Sequence, residues 1–441
     1  MQKINGIIEK LSLEPEELMN HIGEVVVIQG SIYKIRLMSG FAFVILQTPR
    51  NLVQCIYNSE YCNEDLNNTK EQSCVRITGT VLSDERSKAG YEIRINNITL
   101  LSTPYAETPV VINNKSVVAS MDTLLDYRPI TLRNEKERAV FKLQEGICRG
   151  IRDYLYSQCF TEIHTPKIVF AGAEGGANIF KLEYFGKEVY LAQSPQFYKQ
   201  MMVGVYQKVF EIAPVYRAEK HDTSRHLNEY ISVDLEMGYI NSFYDLMQTE
   251  TKMLQSTLDY LKESYSYELD LLKVDIPAIN EIPVIEFNEA KQLVSKEFNR
   301  PIQDYDDFEP EEERLLYEYI KKQTDCDFVF VTHYPTRKRP FYAMEDEKDP
   351  SVTLSFDLLF RGVEVTTGGQ RINDYVKQVQ KMKERNMNPE LFESYLMLHK
   401  CGIPPHGGLG LGLERFTMRL LGQNNVRYSS LFPRDTSRVT P

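Results

Sequence analysis

The sequence predicts an α+β protein in which a small five-stranded barrel precedes a larger domain of strands and helices. Between positions 24 and 101, five strand-like runs follow one another: EVVVIQGSIYKI, FAFVILQ, LVQCIYN, SCVRITGTVL and YEIRINNITLL. Gly, Asn, Asp and Ser separate them, as is typical of turns between short strands. Helical patterns and further strand-like runs fill the rest of the 441 residues, a length that exceeds one ordinary core. Two or three domains are therefore expected.

The composition is that of a soluble globular protein rather than a basic nucleic-acid binder. Hydrophobic residues make up 42% and charged residues 26%, and the formal net charge is −11. Any polynucleotide contact must therefore come from local patches. The seven cysteines form no C-x-x-C pair, which favours reduced thiols. The N-terminal stretch lacks the apolar core of a signal peptide, and no stretch approaches the roughly 18 apolar residues of a membrane span. We expect a cytoplasmic protein with no membrane partner.

Five short strands in this arrangement are typical of an oligonucleotide-binding (OB) barrel. Phe43 and Gln54 lie on neighbouring strands of the barrel, and Glu92 lies on the last strand. An aromatic ring can stack on an unpaired base, and an amide or carboxylate can bind a base edge. The alternative is that Phe43 belongs to the core and the other two are ordinary surface residues.

The segment after the barrel, STPYAETPVVINN, carries two prolines among polar residues and predicts a linker. A long helix follows, beginning at the capping residue Asn134 and carrying apolar residues at helical spacing. It leads into the strand-like piece TEIHTPKIVF, where Pro166 indicates a sheet edge. That edge is either a dimer contact or a plain domain boundary.

A glycine-rich loop with Glu174 precedes the segment QSPQFYKQ. Ser194 there can cap a helix that is entered through Pro195. The helix would present Gln196 and Lys199 on one face. An ordinary capped helix is the alternative interpretation.

A charged segment interrupts a predicted hairpin in the middle of the chain. The apolar run KVFEIAPVY is followed by VYRAEKHDTSRHLNEY and then by the second strand, ISVDLEM. We expect Arg217 and Glu219 to alternate in phase with the first strand and to share one face. A cation there is costly to bury unless an anion binds it, whereas an exposed hairpin tip would need no ligand.

The C-terminal part contains two carboxylates and a glycine-rich strand. Asp357 and Glu364 flank a turn at Gly362, and paired carboxylates in a phosphate site suit Mg²⁺, although a surface pair is the alternative. Arg371 follows two glycines and can bind a carboxylate through a bidentate fork. Glycines 408, 410 and 412 alternate along GLGLGLERF and leave one strand face bare, where a flat ligand could lie. Neither G-x-G-x-x-G nor a P-loop is present, so a nucleotide must be held by other means.

Taken in order, these segments resemble the three class motifs of the class II aminoacyl-tRNA synthetases, and within them the aspartyl member of archaeal-like type. The helix and strand around Pro166 resemble the first motif, VYRAE…RHLNEY the second and GLGLGLERF the third. The resemblance covers essentially the whole chain. It implies an OB-type anticodon-binding domain at 1–104, a linker at 105–133 and a catalytic domain at 134–441. That catalytic domain would be an antiparallel sheet flanked by helices.

The resemblance also implies the activity, which is ATP-dependent formation of aspartyl-adenylate and transfer of aspartate to tRNA(Asp), with tRNA(Asn) left open. Lys199, where asparaginyl enzymes usually lack a lysine, and Arg371 would bind the β-carboxylate of L-aspartate. Thr367 departs from the more usual serine. The implied partners are tRNA, aspartate and a second copy in a homodimer, and the implied cofactors are ATP and Mg²⁺.

The residue roles implied by the resemblance form overlapping sets. The catalytic residues would be Arg217 and Arg415. Aspartate would contact Glu174, Gln193, Gln196, Lys199, Arg217, Thr367 and Arg371. ATP would contact Arg217, Ala218, Glu219, Arg225, His226, Leu227, Tyr230, Glu364, Gly412, Leu413, Glu414 and Arg415. The metal would be held by Asp357, Glu364 and Thr367, and the anticodon by Phe43, Gln54 and Glu92.

Three other functions compete with this one. A non-catalytic tRNA-binding paralogue is disfavoured because both motif arginines, both metal carboxylates and Lys199 are present. An asparagine-making relative would typically lack the barrel. An asparaginyl enzyme is disfavoured by Lys199, because a neutral amide would leave the charge of that lysine uncompensated.

Overall fold

The computed structural model describes residues 12–49, 51–62, 64–66, 69–87, 89–172, 178–220 and 223–441. The chain divides into two compact units, Met1–Ala119 and Ser120–Pro441. The division lies inside the predicted linker 105–133. No helix in these ranges is long and apolar enough to cross a membrane.

The first unit is a closed five-stranded barrel with the order β1-β2-β3-β5-β4, as predicted. A short 3₁₀ helix, Pro15–His21, precedes it. The strands are β1 (Val25–Leu37), β2 (Ala42–Gln47), β3 (Leu52–Tyr57), β4 (Cys74–Ser83) and β5 (Tyr91–Ser102). Alternate side chains of each strand fill the barrel, including Val44 and Ile93, which are fully buried. The remaining side chains of each strand form the outer face.

The segment predicted as a linker is more ordered than its composition indicates. Ile112 is buried, and its carbonyl accepts a 2.7 Å hydrogen bond from the Tyr33 hydroxyl within the first unit. The second unit begins with helices α1 (Met121–Asp126) and α2 (Arg128–Thr131). Arg128 is 1% exposed and donates to the carbonyls of Tyr428, Ser430 and Leu431. These long-range partners explain why local composition alone predicted a linker.

The second unit is built on an eight-stranded sheet with the order β12-β13-β14-β15-β16-β11-β10-β6. Its strands are β6 (Thr161–Glu162), β10 (Lys208–Tyr216), β11 (Glu229–Gly238), β12 (Val284–Glu286), β13 (Phe328–Thr332), β14 (Ser355–Phe360), β15 (Val363–Gln370) and β16 (His406–Gly412). A separate three-stranded sheet contains β7 (Ile168–Val169), β8 (Lys181–Tyr184) and β9 (Lys187–Leu191). The central pairs are antiparallel as predicted, whereas the two outermost pairs are parallel. The chain reaches each of these parallel partners through intervening helices, which is the connection that a parallel pair requires.

Helices flank the sheet. They are α3 (Glu135–Ser157), α4 (Gln196–Tyr206), α5 (Tyr244–Ser264), α6 (Ser266–Leu272), α7 (Phe287–Glu297), α8 (Pro310–Thr324), α9 (Tyr375–Glu384), α10 (Glu393–Cys401) and α11 (Leu413–Leu420). Short 3₁₀ helices lie at Pro389–Phe392 and Val426–Ser429. Asn134 caps α3 as predicted, since its side chain accepts from the backbone N–H groups of Lys136 and Glu137.

The main core lies between the sheet and the α3–α5 pair. Leu143, Ile147 and Ile151 form one buried face of α3 at helical spacing. Gly150 faces α5 so closely that a Cβ atom there would lie 3.0 Å from the Cα atom of Thr257. This rigid support holds the neighbouring strands β14, β15, β16, β11 and β10 in place. The predicted motifs, which are far apart in sequence, therefore meet on adjacent strands.

Candidate active site

A cavity of about 340 Å³ opens on these five strands and collects most of the predicted site residues. The predicted residues that line it are Gln193, Gln196, Lys199, Arg217, Glu219, Arg225, His226, Leu227, Tyr230, Asp357, Glu364, Thr367, Arg371, Gly412, Glu414 and Arg415. They come from α4, β11, β14, β15, β16, α11 and the loops between these elements. Such convergence of charged groups in one pocket favours a binding or catalytic site.

Among the predicted catalytic-domain residues that the structure describes, Ala218 and Leu413 do not line the cavity. Glu174 lies at 173–177, outside the described residues. Leu413 is 3% exposed and its side chain belongs to the hydrophobic core. The backbone N–H of Ala218 donates to the carbonyl of Asn178 at 2.7 Å. Ala218 therefore supports the site through its backbone, and Leu413 does so through its packing in the core.

The predicted hairpin is present, but its first strand ends earlier than expected. β10 ends at Tyr216, so Arg217 and Glu219 lie in the following loop and not in phase with the strand. The Arg217 N–H instead donates to the carbonyl of Asn228, and the Asn228 side chain donates to the carbonyls of Arg217 and Glu219. This network brings both side chains into the cavity although the strand pattern does not continue.

One end of the cavity holds two buried cations that are paired with two buried carboxylates. Lys199 is 2% exposed, and its Nζ atom lies 2.8 Å from Asp234 and 3.5 Å from Glu236. Arg371 is 6% exposed and donates through Nε to Glu236 at 3.0 Å. Its Nη2 atom lies 3.5 Å from Oε1 of Gln196. This end suits a small ligand that carries a carboxylate.

Asp234 and Glu236 were not predicted as site residues, although the sequence contains a signal for them. They alternate along β11 and lie opposite Gly410 and Gly408 on β16. A Cβ atom at position 408 would lie 2.1 Å from Oε2 of Glu236. The bare strand face that was expected to receive a flat ligand therefore accommodates acidic side chains at Gly408 and Gly410. Acidic residues alternating opposite alternating glycines could have indicated this pairing.

The other end of the cavity is rich in guanidinium groups. Arg225 donates to the buried Glu313 of α8, and Arg217 lies 4.0 Å from Glu219. Nη1 of Arg415 lies 3.6 Å from the Glu364 carboxylate. Burial raises the pKa of Glu313 to about 7, although Arg225 opposes the shift. Convergent guanidiniums suit phosphate oxygens.

The proposed metal carboxylates converge as expected from the turn at Gly362, where φ is +77°. Asp357 lies opposite Thr367 in the β14–β15 register, and the Thr367 hydroxyl donates to Glu364 at 3.1 Å. Burial, together with repulsion from Glu364, raises the pKa of Asp357 to about 6. Burial also opposes ionisation of Glu364, but Arg415 and Arg339 hold the pKa of that carboxyl below its usual range. Two carboxylates beside a hydroxyl are oxygen donors of the kind that Mg²⁺ takes alongside substrate phosphates.

Arg339 is a cavity residue that no recognised motif includes. It is 9% exposed, its Nη2 atom lies 2.8 Å from Oδ1 of Asp357, and its guanidinium lies 3.9 Å from the ring centroid of Tyr334. Arg339 is one of two arginines in the run YPTRKRPFYA, which has no periodic pattern that distinguishes it, so sequence reasoning did not find it.

The cations of the cavity share one property, which is that each lies within 4.0 Å of a carboxylate of the chain. In the described residues this holds for Lys199, Arg217, Arg225, Lys338, Arg339, Arg371 and Arg415. The site is therefore charge-balanced within itself, and an anionic ligand must compete for each cation.

The three residues that were predicted to bind anticodon bases lie on adjacent strands of the barrel. Phe43 is on β2, Gln54 on β3 and Glu92 on β5. Phe43 is half-buried and is not part of the barrel core, to which its neighbours Ala42 and Val44 belong. The Gln54 amide donates to Glu92 at 3.2 Å across the β3 and β5 strands. Phe43 also packs edge-on against Phe41. A half-buried aromatic outside the barrel core and an amide–carboxylate pair on the neighbouring strands suit stacking and edge binding of a base.

Comparison with known proteins decides the family. A family profile described as tRNA synthetases class II (D, K and N) matches residues 120–436, and a profile described as OB-fold nucleic acid binding domain matches residues 26–101. The chain belongs to the class II tRNA synthetases. This class II synthetase is therefore an enzyme, an aminoacyl-tRNA ligase, with an N-terminal OB domain.

Relatives and solved structures match the synthetase over nearly its whole length. It is 43% identical to the aspartate–tRNA(Asp/Asn) ligase of Deinococcus radiodurans over 96% of this chain and 98% of that one. It is 35% identical to the aspartate–tRNA(Asp) ligase of Pyrococcus horikoshii over 95% of this chain and 97% of that one. The asparaginyl-tRNA synthetase of Pyrococcus horikoshii, solved with asparaginyl-adenylate, has a TM-score of 0.90 at 29% identity and covers 99% of this chain and 100% of that one.

Proposed function

We propose that this class II synthetase is an aspartate–tRNA ligase. It joins L-aspartate to the AMP moiety of ATP and releases pyrophosphate. It then transfers the aspartyl group to the 3′ end of tRNA(Asp). The observation that carries the proposal is the pair of buried cations, Lys199 and Arg371, at one end of the cavity. A β-carboxylate can accept from both cations, which Asp234 and Glu236 hold in the free protein, whereas the neutral amide of asparagine has one acceptor oxygen and no charge to exchange for those carboxylates. The 43% identity to a ligase named for aspartate supports the same substrate.

In the first step the α-carboxylate of aspartate attacks the α-phosphorus of ATP, and the bond to pyrophosphate breaks. The nucleophile is already an anion, so catalysis rests on positioning and charge stabilisation rather than on a proton acceptor. Arg217 binds the α-phosphate together with the α-carboxylate, where negative charge develops. Gln193 and Gln196 line the amino-acid side, and Glu174, which lies outside the described residues, is assigned the α-ammonium group.

ATP lies along the guanidinium-rich end in this scheme. Arg225 and His226 bind the β- and γ-phosphates, which requires Arg225 to exchange Glu313 for phosphate oxygens. Tyr230 and Arg415 cover the two faces of adenine, and Glu219 binds its edge. The backbone of Ala218, Leu227, Gly412 and Leu413 and the side chain of Glu414 complete the nucleotide site.

Asp357, Glu364 and Thr367 would hold Mg²⁺. The ion supplies charge neutralisation for the phosphates when it is bound. Arg339 keeps Asp357 oriented towards the cavity through their 2.8 Å ion pair. The oxygen-only donor set of the three residues fits Mg²⁺ better than a softer metal.

In the second step the terminal ribose hydroxyl of tRNA attacks the activated carbonyl and releases AMP. Phe43, Gln54 and Glu92 bind anticodon bases, so the barrel selects the tRNA that receives aspartate. The relative named for both tRNA(Asp) and tRNA(Asn) is 43% identical and that named for tRNA(Asp) is 35% identical, which supports acceptance of both tRNAs here. A homodimer, a cytoplasmic location and the boundaries 1–104, 105–133 and 134–441 remain parts of this proposal.

The deciding experiment compares aspartate and asparagine in ATP–pyrophosphate exchange with the purified protein. We expect exchange with aspartate and at least roughly 10³-fold less with asparagine. Exchange with asparagine alone would replace the proposal by an asparaginyl enzyme, which the structural similarity to such an enzyme makes the natural second candidate. Aspartylation of separate tRNA(Asp) and tRNA(Asn) transcripts then tests the breadth of tRNA acceptance.

A further inference from the structure

A fully buried hydrogen bond lies behind the amino-acid end of the cavity, and its two residues do not line it. Gln200 of α4 and His406 of β16 are both 0% exposed, and Nε2 of Gln200 lies 3.0 Å from Nε2 of His406. Nδ1 of His406 lies 2.9 Å from the carbonyl of Pro404. A carbonyl can only accept, so Nδ1 carries the hydrogen and Nε2 accepts from Gln200. The histidine is thus neutral and held at both ring nitrogens.

The two residues belong to the elements that hold the two cations. Gln200 follows Lys199 directly on α4. His406 begins the segment of β16 whose carbonyls bind both cations. The His406 carbonyl accepts from the Arg371 backbone N–H at 2.9 Å, and the Gly408 carbonyl accepts from Nη2 of Arg371 at 3.0 Å. The Leu409 carbonyl accepts from Nζ of Lys199 at 2.9 Å.

We propose that the Gln200–His406 hydrogen bond is a positioning crosslink that sets the distance between Lys199 and Arg371 and thereby the preference for aspartate over asparagine. Two cations bind one carboxylate well only at a fixed spacing, whereas a single amide tolerates a looser pocket. Without the crosslink, the Lys199–Leu409 hydrogen bond still joins α4 to the middle of β16, but the start of β16 at His406, whose carbonyl binds the Arg371 backbone, loses this bond to α4. The inference rests on the proposed aspartate activation and adds to it two residues that do not touch the substrate.

The test measures ATP–pyrophosphate exchange with Gln200→Leu, which removes the donor and keeps a similar side-chain volume. We expect the KM for aspartate to rise roughly 10- to 100-fold and the aspartate-to-asparagine ratio of kcat/KM to fall by the same factor. The KM for ATP should stay within about twofold of the wild-type value, because the crosslink does not reach the phosphate end.

Gln378→Leu is the matched control. Gln378 is also 0% exposed and belongs to the same polar network, since the Tyr395 hydroxyl lies 3.3 Å from Oε1 of Gln200 and 3.4 Å from Oε1 of Gln378. It lies on α9, however, and bonds neither α4 nor β16 directly. A similar loss of thermal stability with unchanged selectivity is expected for this control. Equal losses of aspartate-over-asparagine selectivity in the Gln200 and Gln378 variants would overturn the proposal that the Gln200–His406 hydrogen bond sets this preference.

His406→Gln tests the inference if Gln200→Leu does not fold, because the glutamine carbonyl can still accept from Gln200. Selectivity close to wild type in this variant supports the crosslink, and lost selectivity beside an intact Gln378→Leu control overturns it. Absence of aspartate-dependent exchange in the wild-type protein would overturn the proposed function as a whole. Wild-type exchange with an equally selective Gln200→Leu variant would overturn this inference alone.

Discussion

Nη2 of Arg339 lies 2.8 Å from Oδ1 of Asp357, in the cavity that both residues line together with Glu364. Without this guanidinium, Asp357 would face a second carboxylate with less compensation, and its pKa of about 6 would rise. Arg339→Ala should therefore need roughly tenfold more Mg²⁺ for half-maximal pyrophosphate exchange near pH 6.5, with a smaller effect at pH 8.5, where the carboxyl ionises. Mg²⁺ titrations at these two pH values measure the effect. Arg337→Ala, which removes a side chain that is 70% exposed, is the control and should behave as wild type.

Arg217 is expected to be indispensable for adenylate formation. Arg217→Ala should reduce ATP–pyrophosphate exchange by roughly 10³-fold or more, because no other cation is assigned to both the α-phosphate and the α-carboxylate. Arg149→Ala on the exposed face of α3, where the side chain is 65% exposed, should leave exchange unchanged. ATP–pyrophosphate exchange at the wild-type rate in the Arg217 variant would contradict the proposed role of Arg217 in adenylate formation.

The glycine at position 408 is expected to be irreplaceable for steric reasons. A Cβ atom there would lie 2.1 Å from both the Leu235 carbonyl and the Glu236 carboxylate, whereas at Gly412 the nearest atom would be 3.8 Å away. Gly408→Ala should lower the free energy of unfolding by about 3 kcal/mol, or prevent folding. Gly412→Ala should change it by less than about 1 kcal/mol. Urea denaturation of both variants compares them, and equal stabilities would contradict the packing argument.

Glu250 on α5 should make stability depend on pH. Its side chain is fully buried, and burial outweighs the opposing effect of the Thr366 hydroxyl on its pKa. Burial raises its pKa from 4.5 to about 8. An unfolded chain ionises this group near pH 4.5 while the folded chain keeps it protonated, so the folded state loses stability as the pH rises from about 4.5 to about 8.

Glu250→Gln removes that loss. The variant should equal wild type near pH 5 and exceed it in free energy of unfolding near pH 8 by an amount on the order of a few kcal/mol. Glu263→Gln, on the exposed face of the same helix, serves as the control. Parallel pH curves for wild type and Glu250→Gln would show that the carboxyl does not titrate as described.

Phe43 is expected to contribute to tRNA binding and to have no effect on aspartate activation. Stacking on a base contributes about 1–3 kcal/mol, so Phe43→Ala should raise the KM for tRNA by roughly 10- to 100-fold. Tyr105→Ala removes an exposed aromatic of the same unit that lies outside the barrel strands. A change in tRNA-free pyrophosphate exchange in the Phe43 variant would point to misfolding rather than to lost recognition.

Sequence patterns predicted those parts of the structure that depend on neighbours in the chain. The five barrel strands, the hairpin around the charged loop and the meeting of Asp357 with Glu364 at Gly362 follow from side-chain alternation and turn chemistry. The end of β10 at Tyr216 did not, because Asn228 fixes the following loop from 11 residues away. The pairing of Arg225 with Glu313, which is 88 residues away, likewise depends on the tertiary fold and has no local signature.

In the described part of the chain, each cation that lines the cavity is paired with a carboxylate of the chain, so we expect the site to select ligands that carry both positive and negative charge. A simple anion such as inorganic phosphate would displace a carboxylate from its cation and bring nothing to replace it. A zwitterionic amino acid, or a nucleotide arriving with its divalent ion, offers both signs and satisfies both members of the pair that it separates. The synthetase should therefore tolerate millimolar phosphate that would inhibit a site lined by unpaired guanidiniums, and inhibition at constant ionic strength is a direct way to observe it.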